Sequence, residues 1–119
     1  MNGEQPKVLD LEVITMLQDA IGDSLHKIIN LYLTDAPQDL IRMQQALSSN
    51  DLDTLRRLAH SLKSSSANLG AMQTSALAAD LEHIITDGEV NPTLLTTKLN
   101  VLIASVDQAR SMFETLQAR

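Results

Sequence analysis

The chain has 119 residues, enough for one domain with a single small core and too few for two. Of these, 44% are apolar, which argues against disorder, and two aromatics set against 20 Leu and 12 Ala favour helix over a β-sandwich or barrel. A net charge of −6 with almost no stacking residues argues against nucleic-acid binding, and the absence of Cys removes disulfides, thiolate metal sites and a Cys nucleophile.

Residues 1–7 are polar and read as a flexible N-terminus, leaving 8–117 as a single helical domain. A first short helix is expected over roughly Asp10–Ala20, marked by Val13, Ile14 and Leu17 and stopped at Gly22. Asp23 or Ser24 can cap the second. Its apolar face runs through Leu25, Ile28, Ile29, Tyr32, Ala36, Leu40, Met43 and Leu47. Pro37 interrupts that pattern and removes a backbone hydrogen bond, so a kink, or a break with a new cap at Asp35, is expected.

Asn50 or Asp51 caps the third helix, whose seam is Leu52, Leu55, Ala59, Leu62, Ser66 and Leu69, ending at Gly70. The fourth spans about Ala71–Asp87, buries Leu77, Leu81, Ile84 and Ile85, and closes at Gly88. Asn91-Pro92 is a cap followed by Pro at the first helical position. The fifth helix then buries Leu95, Leu99, Leu102, Val106, Ala109, Phe113 and Leu116. Short loops make neighbouring helices antiparallel. The expected fold class is therefore all-α: an antiparallel up-down four-helix bundle with a short extra N-terminal helix. The longest apolar run, Val101–Val106, is far too short to span a bilayer, and the N-terminus lacks a signal peptide's apolar stretch. No direct membrane insertion and a cytoplasmic location are expected.

Three side chains are candidates for chemistry near neutral pH: His26, His60 and His83. At about 100° per residue, His60 points roughly 140° from the centre of its helix's apolar seam, toward solvent. Lys63 and Ser64 share its face one turn on, and Arg56 and Arg57 one turn back. Between Asp53 and Asp80 there is no acid, so residues 54–79 carry +3 and the other 93 carry −9. Such a basic, sterically open patch suits an anion. The small residues Ser61, Ser64, Ser65 and Ala67 let another surface approach. Taken alone, an exposed helical His is more often an ordinary surface residue, and the cations a solvated face. His26 and His83 lack a cation at the same spacing and read as incidental. The Met residues sit near the seams and read as gap fillers.

The segment AHSLKSSSANLGA, Ala59–Ala71, resembles the signature of histidine-containing phosphotransfer (HPt) domains of bacterial phosphorelays. Their pattern is Ala-His-x-Leu-Lys-Gly-Ser-Ser followed by Leu-Gly-Ala. It is matched at Ala59, His60, Leu62, Lys63, Ser65, Ser66, Leu69, Gly70 and Ala71. Ser64 departs from it, standing where the family more often has Gly. The Gly22-Asp23 turn and the Ala36-Pro37-x-x-Leu40 segment also look like the family, so the resemblance covers roughly Val8–Leu116.

The resemblance implies that His60 is phosphorylated through its outer ring nitrogen and that Lys63 stabilises the phosphoryl oxygens. Ser64 and Ala67 would form a docking floor, with Arg56 and Arg57 beside it. Some members place a polar group on the other ring nitrogen. Glu82 aligns loosely with it, and a solvated Glu is the plainer reading. The implied partners are receiver domains, one of a hybrid sensor histidine kinase and one of a response regulator, with this chain a monomer. A receiver supplies the Asp phosphate carrier and Mg²⁺, so no cofactor bound by this chain is expected. The chain contains no Walker loop, no Gly-rich ATP lid and no acid cluster for Mg²⁺, so no autonomous kinase activity is expected.

The rival readings are weaker on the residues. A di-iron bundle needs inward Glu-x-x-His motifs, and Asp80-Leu-Glu-His83 is only a near miss. A serine hydrolase needs a Gly-x-Ser-x-Gly elbow, which is absent. The serious alternative is a non-catalytic helical module that binds receiver domains without carrying phosphate.

Overall fold

The structure, a computed structural model, describes residues 5–118. These form five helices: α1 (Leu11–Ile21), α2 (Ser24–Ser48), α3 (Leu52–Asn68), α4 (Met72–Thr86) and α5 (Pro92–Gln117). There is no strand among the described residues. α2 packs on α3, α3 on α4, α4 on α5, and α5 back on α2, which closes a four-helix ring. α1 contributes no buried residue and rests across the end where α2 begins and α3 turns into α4.

The helix boundaries follow local chemistry. Asp10 caps α1 by accepting from Glu12 N–H at 3.0 Å. Asp51 caps α3 by accepting from Thr54 N–H at 3.2 Å and Thr54 Oγ1 at 2.7 Å. Asn91 caps α5 through Thr93 and Leu94 N–H, with Pro92 at the first position. α2 departs from expectation at the cap, and of the two outcomes expected at Pro37 the break with a new cap does not occur. Asp23 makes no side-chain cap bond; the carbonyls of Gly22 and Asp23 themselves accept from Leu25 and His26 N–H. Pro37 does not break α2, and Asp35 is an interior helical residue rather than a cap. Only the single backbone bond of the missing N–H is lost, while Tyr32, Ala36, Leu40 and Met43 are buried on one face either side of it.

The core comprises the seams of α2 to α5, with Met43, Leu55, Leu62, Leu81, Leu95, Leu102 and Phe113 fully buried. The two aromatics meet edge to face, Tyr32 on Phe113, with centroids 5.9 Å apart. Some expected core positions lie at the margin. Leu52, Leu77, Ile85 and Leu116 are half-buried, and Ile28 is exposed. The hydroxyls that enter the core do so in hydrogen-bonded pairs. Thr74 Oγ1 meets Ser105 Oγ at 2.8 Å, and Tyr32 OH meets Ser66 Oγ at 2.7 Å. Among the described residues every buried side-chain polar atom has a partner. The expected loose segment 1–7 falls partly outside the described residues. Within them, the Lys7 carbonyl accepts from Gln73 N–H at 2.8 Å, which ties that segment to α4.

Candidate functional site

The seam of α3 turns Leu55, Ala59, Leu62 and Ser66 inward, which leaves His60 on the open face with a side chain 58% exposed. What surrounds it is decided by the return of the chain. α3 ends at Asn68 with Leu69 as its C-cap, and Gly70 turns the backbone at φ +81°. A Cβ at Gly70 would lie 3.0 Å from the Asp10 carbonyl oxygen, and the Gly70 carbonyl accepts from Asp10 N–H at 2.8 Å. The turn therefore needs glycine both for its left-handed conformation and for this close approach. α4 then runs back along α3. Ser75 Oγ donates to the Lys63 carbonyl at 2.8 Å and joins the two helices beside the site.

Two turns beyond Ser75, on the same face of α4, comes Glu82. His60 Nδ1 donates to Glu82 Oε2 at 2.8 Å, and Lys63 Nζ donates to Glu82 Oε1 at 2.8 Å. One carboxylate of low exposure thus holds both side chains. The Lys63 hydrogen bond is the main cause that holds the Glu82 carboxyl below its ordinary value; partial burial opposes it and the His60 bond adds to it. An ionised carboxylate only accepts, so the hydrogen between the two groups sits on Nδ1. In the neutral ring Nε2 then keeps its lone pair, and among the described residues it takes no hydrogen bond. The reading of Glu82 as a solvated acid is thereby corrected. Counting outward from Gly70, His60 stands ten residues before the turn and Asp80 ten after, so Glu82 falls within one helical turn of His60. That hairpin count is the signal that finds it.

The basic patch is also corrected. Arg56 and Arg57 turn back to Asp53, at 2.9 Å and 3.2 Å. With Glu82 on Lys63, the surface is a paired network rather than an acid-free cationic field. Lys63 spends one of its three donors on Glu82 and has two others. Ser64 is exposed one turn beyond His60, and Ala67 is half-buried a turn further. On the other flank, a shallow groove of about 240 Å³ between α2 and α3 is lined by Ile28, Leu31, Asp35, Ser61 and Ser65. The remaining histidines lie elsewhere. His26 Nδ1 pairs with Gln117 Nε2 in a cleft of about 370 Å³ under α1, and His83 Nε2 pairs with Asp87 on the surface of α4. Among the described residues no three metal-ligating side chains cluster, and no helix is long and apolar enough to cross a membrane.

An all-α bundle with a solvent-facing, tautomer-fixed histidine beside a lysine defines a class of protein. Residues 27–118 match the family model of the Hpt domain, and the chain belongs to that family. Among solved structures it is similar to histidine-containing phosphotransfer protein B (HptB) from Pseudomonas aeruginosa PAO1. The TM-score is 0.88 at 25% sequence identity, over 94% of this chain and 96% of that one. No curated protein matches it.

Proposed function

We propose that this chain is a phosphorelay intermediate: His60 accepts a phosphoryl group from the aspartate of one receiver domain and passes it to the aspartate of another. The observation that carries the reading is the Glu82 carboxylate on His60 Nδ1, which leaves Nε2 as the free nucleophile on an exposed helix face. Membership of the Hpt domain family and the likeness to HptB support the same role.

The step needs in-line approach and charge neutralisation more than covalent help. The Nε2 lone pair attacks phosphorus, the P–O bond to the donor aspartate breaks, and the electron pair leaves on that carboxylate. Lys63 offers its remaining donors to the phosphoryl oxygens, held within reach by Glu82. Ser64 and Ala67 keep the approach to Nε2 low, and the α2–α3 groove beside Ser61 gives the partner a surface to cover. Mg²⁺ and the acyl phosphate belong to the receiver. The passive-binding alternative leaves the shared carboxylate unexplained, because a docking surface has no use for a chosen imidazole tautomer.

The deciding experiment is incubation with phosphorylated receiver domains of the source organism, followed by mass spectrometry. A label on His60 that is acid-labile and base-stable is expected, as for a P–N bond. The protein alone with ATP and Mg²⁺ stays unlabelled. Stoichiometric binding of receivers with no label at all would establish the passive module instead.

A further inference from the structure

The same geometry bears on the phosphorylated state, and this inference rests on the phosphotransfer reading of His60. When neutral imidazole gives its Nε2 lone pair to phosphorus, the ring becomes cationic unless Nδ1 releases its proton. In water that proton leaves once the pH exceeds the ring's own pKa. Here Nδ1–H points at a carboxylate 2.8 Å away.

We propose that Glu82 retains the Nδ1 proton throughout the relay cycle, so that phosphorylated His60 persists as a cationic, readily discharged donor at neutral pH. On loading, the P–O bond breaks, the N–P bond forms, and the positive charge developing on the ring is met by Glu82, as a buried aspartate meets an imidazolium in a catalytic triad. On discharge, an aspartate oxygen attacks phosphorus, the N–P bond breaks, and its electron pair returns to Nε2. The leaving group is neutral imidazole with its Nδ1 proton still in place. No proton is exchanged with solvent in either direction, and neither transfer waits for one.

The charged surroundings favour this arrangement. On α3, Arg56 and Arg57 are occupied by Asp53. Lys63 opposes a ring cation, yet it is itself tied to Glu82 and faces the incoming phosphoryl oxygens. On α4, His83 is paired with Asp87, and Asp80 with Lys98 of α5. On α2, Asp35 and Asp39 line the opposite groove. Glu82 is thus the one acid in hydrogen-bond contact with the His60 ring among the described residues.

The test loads His60 chemically with phosphoramidate, a small P–N donor, and follows the ³¹P shift of the phosphohistidine against pH. An opposite charge in hydrogen-bond contact raises the ring's titration by about one pH unit or more. The wild-type midpoint is therefore expected at least that far above free phosphohistidine measured alongside. Glu82→Gln, which keeps the shape and an acceptor but loses the charge, and Glu82→Ala should both return it to the free value. Both variants should also lengthen the lifetime of the phosphohistidine at pH 7. Equal midpoints in wild type and both variants would overturn the proposal while leaving the relay intact. Failure of wild-type His60 to load from either phosphoramidate or receivers would overturn the relay reading itself. Unchanged circular dichroism separates a lost charge from a lost fold.

Discussion

Lys63 Nζ and Glu82 Oε1 lie 2.8 Å apart across the α3–α4 pair, on the same carboxylate whose other oxygen holds His60. The lysine therefore anchors the acid and, on the proposed reading, also meets the phosphoryl group. Lys63→Ala should slow transfer from a phosphorylated receiver by about tenfold to a hundredfold, the equivalent of about 1.4–2.7 kcal/mol for a lost charge-assisted contact. The fold should survive, since the side chain lies at the surface. The Glu82 carboxyl should titrate at higher pH in the variant, because its largest depressing influence is gone. Carboxyl ¹³C shifts and stopped-flow transfer kinetics measure the two effects separately.

His60 alone should carry the label. His60→Gln keeps size and polarity but removes the nucleophilic nitrogen, and the exposed position makes a stability change of more than about 0.5 kcal/mol unexpected. Labelling should vanish, while His26→Gln and His83→Gln stay near wild type. A phosphoserine in the Ser64–Ser66 run, or labelling of His60→Gln, would refute the assignment.

The pH dependence of the bridge follows from the direction in which Glu82 is shifted. Its folded-state value lies below the ordinary one, so between the two the unfolded chain binds more protons and stability rises with pH. The contribution is fully present above the ordinary glutamate value of about 4.3 and is lost as pH falls through the depressed folded value. Asp51, lowered by its Thr54 hydrogen bonds at the α3 cap, acts with the same sign. Thermal unfolding from pH 6 down to about pH 3 should show a falling midpoint, and the fall should be shallower in Glu82→Gln.

Leu62, 1% exposed, sits in the seam that aims His60 outward. Leu62→Ala should cost about 2–5 kcal/mol in chemical denaturation. A loss under roughly 0.5 kcal/mol would mean that α3 is rotated from the orientation described.

Gly70→Ala tests the turn that brings α4 back. A side chain there must adopt φ +81° with its Cβ 3.0 Å from the Asp10 carbonyl oxygen. The left-handed conformation alone costs roughly 1–2 kcal/mol, and the contact adds to it. The α1 amides should lose hydrogen-exchange protection first, because the Asp10–Gly70 hydrogen bond joins that segment to the turn. Protection unchanged from wild type would show that α1 is held by other contacts.

Much of the molecule was legible in the residue order because helices are local objects. Caps at Asp51 and Asn91 and stops at Gly22 and Gly70 act within a few residues, and the inward faces of α3 and α5 follow from the 3.6-residue period. The outward direction of His60 is a property of its own helix, as is the spacing of Lys63. Even the pairing of Arg56 and Arg57 with Asp53 is local, at i+3 and i+4. It was missed because the acid-free window starts just after Asp53.

Pro37 and Glu82 belong to the other category. Propensity at Pro37 favours a break, and only the packing of Tyr32, Ala36, Leu40 and Met43 against the bundle carries α2 through it. Glu82 is 22 residues from His60, and nothing in its neighbours along the chain distinguishes it from a solvated acid. Its place depends on the axial register of α4 on α3, held by the glycine turn at one end and the Ser75–Lys63 hydrogen bond in between. The sequence by itself determined which face of α3 offers a histidine. Tertiary packing decided which nitrogen of that histidine is free, because the tautomer is chosen by a carboxylate from another helix.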